Sequence, residues 1–129
     1  MRVLDSDHCI ALLRGRLDLR RRISAAEMLA VTSITVGELV HGAQRSAQRL
    51  RNLAQIEVLL ADVFVLPFDE AAARRFGRLK ADLERSGSRL ADLDLQIAAI
   101  CLEAGANLLT HNTRHFGRVA GLAVEDWLA

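Results

Sequence analysis

Short apolar, β-branched runs alternate with stretches of helical periodicity along nearly the whole chain, and that alternation admits few folds. Strand-like runs fall at residues 2–5, 31–34, 63–66 and 107–110, with 123–124 as a candidate fifth. Helical spacing is predicted over residues 8–14, 17–29, 35–45, 46–61, 69–86 and 93–103, with a short turn at 113–116. The punctuation agrees: Gly15, Gly87 and Gly105 stop helices, Pro67 closes the third strand, and Asp69-Glu70 place acids at the positive end of a helix dipole. Strands separated by helices form a parallel sheet covered on both faces, so the expected class is α/β with four to five strands.

A chain of 129 residues, 51% hydrophobic, is sized for one domain with a real core, and no repeat, linker or low-complexity segment divides it. Its formal charge is +1, from 17 basic and 16 acidic side chains, so any attraction to nucleic acid has to be local. No run approaches membrane-spanning length and no secretory leader is evident, which reads as a cytosolic protein. Cys9 and Cys101 sit among apolar residues and are expected to be buried thiols. His8, His41, His111 and His115 match no zinc-ligand spacing.

The acids carry the chemistry. In an open parallel sheet, ligands bind in the crevice at the carboxyl ends of the strands. Asp5 ends the first strand, Glu38 lies in the first turn after the second, and Asn112 follows the fourth, so these three share one edge. Asp94, near the start of the helix before strand four, reaches that edge only if the connection recrosses the sheet. On its helix it shares a face with Ile97, Ala98 and Cys101, an apolar setting in which a charge needs a partner. Converging carboxylates repel one another and raise their own pKa values unless a cation neutralises them, and oxygen donors favour Mg²⁺ or Mn²⁺.

Five stretches now fall into a pattern: Val3-Leu-Asp-Ser-Asp7, Thr32-Ser-Ile-Thr-Val-Gly-Glu-Leu-Val-His-Gly-Ala43, Asp92-Leu-Asp-Leu-Gln-Ile-Ala-Ala99, Leu109-Thr-His-Asn-Thr-Arg-His-Phe116 and Val119-Ala-Gly-Leu-Ala-Val-Glu-Asp-Trp127. In this order and spacing the chain resembles a PIN-domain ribonuclease of the VapC toxin type. The resemblance implies a three-layer α/β/α sandwich in which the recrossing occurs, and Mg²⁺-dependent cleavage of RNA. It makes Asp5, Glu38 and Asp94 the catalytic, metal-holding acids, and sets Asn112 where many relatives carry a fourth acid. It also implies a toxin neutralised by a small VapB-type antitoxin, whose arginine would pair with the carboxylates, and a homodimer.

Each residue also has a plainer reading. Asp5 caps the helix that follows it; Thr35 to Glu38 forms a capping box; Asp92 is an N-cap and Asp94 a first-turn acid; Asn112 caps the short turn at 113–116. Ser6 orients Asp5 or serves as a turn serine, and Asp92 supports the site from outside. Arg114 and His115 are candidate RNA contacts or solvated surface, as is Arg20-Arg-Arg22. The stripe Leu50, Leu53, Ile56, Leu59 and Leu60 is core, or else a partner contact, and Trp127 ties down the chain end. A rival enzyme, a haloacid-dehalogenase-type phosphohydrolase, would use Asp5 and Asp7 but needs a lysine at the phosphate. The sole lysine, Lys80, lies inside a helix, which also counts against a receiver-like phosphoacceptor. A non-catalytic module that binds RNA or an antitoxin is the third alternative.

Overall fold

The alternation resolves into a five-stranded parallel sheet. A computed structural model describes residues 1–24 and 26–128. The strands are β1 (Arg2–Leu4), β2 (Leu29–Thr32), β3 (Phe64–Leu66), β4 (Asn107–Leu109) and β5 (Val124–Glu125), in the spatial order β3-β2-β1-β4-β5. All four strand pairs are parallel, with Val3 opposite Ala30 on one side and Leu108 on the other. The helices are α1 (Ser6–Leu13), α2 (Ser33–Arg45), α3 (Arg49–Ala61), α4 (Glu70–Arg85), α5 (Asp92–Ala104) and α6 (Thr113–Phe116).

Successive strand residues point to opposite faces, and along the central strands β2, β1 and β4 both faces are dry, while Phe64 and Val65 of the edge strand β3 stay exposed. Val3, Ala30 and Leu108 pack with Leu95, Ala98 and Cys101 of α5. Their neighbours Leu4, Val31 and Leu109 pack on the other side with Cys9, Leu39 and Ile56 of α1, α2 and α3. Both thiols are buried, as expected, and burial pushes each up to about 12.

The helix expected over residues 17–29 does not form. Among its described residues only Leu19–Arg21 makes a single 3₁₀ turn, and Leu29 already belongs to β2. Ala25 lies outside the described residues. The Asp18 carboxylate accepts from the Arg20 amide at 3.0 Å, a local bond that competes with helix propagation. Leu17, Leu19 and Ile23 pack onto the α1–α3 side of the core instead. The α3 stripe is core at Ile56 and half-buried at Leu53, Leu59 and Leu60, whereas Leu50 is 76% exposed.

Two features of this topology place the site. From β1 the chain moves outward through β2 to β3, then returns to β4 on the opposite flank of β1, so a crevice opens at the carboxyl ends of β1 and β4. Helices α4 and α5 form an antiparallel pair, tied by Arg75–Glu103 at 2.7 Å and Lys80–Asp92 at 3.0 Å. The extra helix returns the chain across the sheet, so α5 begins at the carboxyl edge. No helix among the described residues is long and apolar enough to cross a membrane.

Candidate active site

Asp5 both caps and faces the crevice. Its backbone amide donates to the Leu109 carbonyl at 2.9 Å, which fixes it between β1 and β4. One carboxylate oxygen accepts from the Ser6 amide at 2.9 Å and the other from the Thr110 hydroxyl at 2.8 Å. The residue is only 8% exposed. Burial raises its pKa, against the two hydrogen bonds, and the nearby charges of Asp7 and Asp94 push the same way.

Glu38 is released from the capping box expected for it. Helix α2 begins at Ser33, two residues earlier than the sequence suggests, and Thr32 is the cap: its hydroxyl accepts from the Thr35 amide at 3.1 Å. Glu38 therefore sits in the second turn, on the open rim. Among the described residues its carboxylate has no hydrogen-bond partner. Partial loss of water raises its pKa, and the charges of Asp5 and Asp94 add to the shift.

Asp94 arrives from α5. The cap of that helix is Ala91, with no side-chain bond, so Asp92 is a first-turn residue and not the N-cap; it pairs with Lys80. Asp94 lies two residues further on, 2.8 Å through Oδ2 from His115 Nε2. His115 thus turns toward a carboxylate, away from the surface role set beside RNA contact for it. Arg114 is exposed. Asn112 occupies the cap position of α6 without a side-chain bond, while its amide donates to the Thr110 hydroxyl at 3.1 Å. The cap expected of its side chain is absent, and the side chain stays exposed at the crevice.

Asp7, the second acid of the rival phosphohydrolase motif beside its nucleophile Asp5, is fully engaged. One oxygen takes the His8 Nδ1 proton at 2.6 Å and the other accepts from the His111 amide at 2.9 Å. Against the cost of burial, these bonds hold its pKa below the usual carboxylate range. Lys80 is engaged by Asp92. The dehalogenase-type arrangement is therefore not built.

The acids line an open rim: among the described residues no group of three or more acidic, histidine or cysteine side chains is arranged to hold a metal ion as it stands. From Ser6, Glu38 and Leu93 a groove of about 940 Å³ extends between α1, α2 and α3 toward Arg14, Arg16 and Arg51. A family model described as the PIN domain matches residues 2–122.

The chain belongs to the PIN-domain family.

This PIN domain is 36% identical over 127 residues to the tRNA(fMet)-specific endonuclease VapC of Shigella flexneri, covering 97% of this chain and 96% of that protein. It is 35% identical to Ribonuclease VapC2 of Haemophilus influenzae, covering 98% and 97%. Among solved structures, the DNA-bound VapBC of Salmonella typhimurium superposes with a TM-score of 0.89 at 33% identity, covering 98% and 97%. VapBC-1 of nontypeable Haemophilus influenzae does so at 0.88 and 29%, covering 99% and 98%. This PIN domain is a nuclease of the VapC type, with the three-layer fold of those structures.

The residue that sequence reasoning missed in this PIN domain is Thr110. Fully buried, its hydroxyl donates to Asp5 and accepts from the Asn112 amide, linking the ends of β1 and β4. The available signal was a polar residue closing the apolar run Leu108-Leu109. Thr110→Val keeps the shape and removes the hydroxyl. It is expected to lower stability by about 1–2 kcal/mol, measured by urea unfolding, and to slow cleavage about tenfold as Asp5 loses its orientation. Wild-type values for both would show that Thr110 does not hold Asp5.

Proposed function

We propose that this PIN domain is a divalent-metal-dependent endoribonuclease, the toxin of a toxin–antitoxin pair, whose Mg²⁺ or Mn²⁺ is held by Asp5, Asp94 and Glu38. One observation carries the reading: among the described residues Glu38 has no hydrogen-bond partner, and its pKa is raised by burial and by Asp5 and Asp94, a charge balance that a cation would restore. These three donors are carboxylate oxygens, which fits a hard dication. When bound, such an ion supplies polarisation of the scissile phosphate and stabilisation of the leaving oxygen. The protein's part is positioning: Ser6 and Thr110 fix Asp5, His115 fixes Asp94, and Asn112 adds an uncharged polar group beside them. Asp92, held by Lys80, supports the start of α5.

The local attraction that a net charge of +1 demands is supplied by Arg14, Arg16 and Arg51 along the groove, suited to phosphates of an RNA strand. The same groove suits an antitoxin segment that places an arginine against the carboxylates; the structural relatives include VapBC complexes. Self-association as a homodimer belongs to the same reading, as does action in the cytoplasm within one folded domain.

The Shigella flexneri and Salmonella typhimurium relatives are named as tRNA(fMet)-specific, so that tRNA is the first substrate to try. Cleavage is expected with Mg²⁺ or Mn²⁺ and not with EDTA. Asp94→Asn and Glu38→Gln should each slow it on the order of 10²-fold, the value of about 2.7 kcal/mol of lost charge stabilisation. Cleavage that persists in EDTA, or in both variants, would overturn the mechanism.

A further inference from the structure

His115 does more at this site than its motif position suggests. It is the third residue of α6, at the carboxyl end of β4, and its Nε2 stands 2.8 Å from Asp94 Oδ2. Its side chain is 23% exposed and that of Asp94 is 30%, so both remain open to the crevice. The ring is held in place: Phe116, itself buried, meets it edge-on at 5.5 Å and 87°. Gly117 lets the turn close behind it, since a Cβ there would stand 2.8 Å from the Thr113 carbonyl oxygen.

We propose that His115 is a nitrogen ligand of the divalent ion alongside Asp94, and that it biases this site toward Mn²⁺ over Mg²⁺. The inference rests on the metal site proposed above. Neighbouring ligands of a six-coordinate ion with bonds of about 2.1 Å stand about 3 Å apart, which is the spacing of this nitrogen and oxygen. A neutral imidazole adds a donor without adding to the repulsion among three carboxylates. Magnesium prefers oxygen ligands and gains little from imidazole, whereas later divalent metals bind nitrogen better. In the contact with Asp94 it is Nε2 that carries the proton; no other side chain among the described residues bonds either ring nitrogen, so that proton can pass to Nδ1 by way of solvent when Nε2 takes the ion.

The test is made on the whole protein loaded with Mn²⁺. Pulsed electron paramagnetic resonance should show the nitrogen modulation of a directly bound imidazole in the wild type, lost in His115→Ala and His115→Gln. Calorimetric titration should show the Mn²⁺-to-Mg²⁺ affinity ratio falling about tenfold or more in His115→Ala. Thermal melts of both variants establish that they fold. A wild-type spectrum without directly bound nitrogen, while Asp94→Asn still abolishes Mn²⁺ binding, overturns the role of His115 and leaves the metal site standing. Failure of the wild type to bind Mn²⁺ at all overturns both.

Discussion

Asp5→Asn is expected to reduce RNA cleavage by about 10³-fold or more while making the metal-free protein more stable at neutral pH. The two effects have one cause. Asp5 is buried and its folded-state pKa is raised, mainly by burial, so its ionised form is disfavoured in the folded protein. Asparagine keeps the shape and an oxygen for the Ser6 amide, and the Thr110 hydroxyl can turn its proton to Asp7, which lies 3.4 Å away. The sign follows from linkage: a carboxyl with a raised folded pKa favours the fold at low pH, and that contribution is lost as pH rises through the folded value. The stability gap between variant and wild type should therefore be smallest below the ordinary value of 3.8, open as pH climbs through the folded pKa of Asp5, and then level off. Urea unfolding in EDTA across that range measures it. Adding Mg²⁺ or Mn²⁺ should reverse the order, because the ion stabilises only a protein that binds it. A variant that is less stable than wild type in EDTA at pH 7 would mean that Asp5 is not a strained carboxylate awaiting a cation.

The largest expected loss of stability comes from a residue outside the chemistry. His8 is wholly buried, and the Trp127 amide donates to its Nε2 at 3.0 Å. A nitrogen that accepts carries no proton, so His8 is the neutral form with its hydrogen on Nδ1, donated to Asp7. One side chain thus joins α1 to the end of the chain. Trp127 itself is buried, with Arg2 over its ring at 5.2 Å. His8→Ala leaves the Trp127 amide without its acceptor and opens a cavity beside it, together costing about 2–4 kcal/mol. The melting temperature should fall by roughly 10 °C. Trp127 is the only tryptophan, so its emission should shift to the red before global unfolding as the C-terminal segment loosens. An unchanged spectrum with a wild-type melting point would remove His8 as the anchor.

Much of the fold could be read locally, and the exceptions are instructive. The presence of five strands, the Gly15, Gly87 and Gly105 stops and the helix opened by Asp69-Glu70 all follow from residue type and spacing, although the second strand lies at 29–32, two residues before the expected 31–34. The segment at 17–29 misled because Leu19 and Ile23 stand four apart, as on one face of a helix, while the core takes them from an irregular path. The start of α2 misled because Thr32 and Thr35 are both credible caps, and only the end of β2 at Thr32 selects between them. That choice moved Glu38 from a structural bond to the open rim.

Periods of two and of 3.6 residues say which side of an element is apolar, and a strand's length says where its edge lies. Those local quantities sufficed for the parallel sheet whose central strands are dry on both faces and for the acids 5 and 38 at one edge. Pairings such as Asp5 with Thr110, 105 residues apart, and Asp94 with His115, 21 apart, depend on which strands lie side by side and on a helix pair that recrosses the sheet. Stacking order is set by the packing of whole layers, for which no short stretch of sequence carries a period.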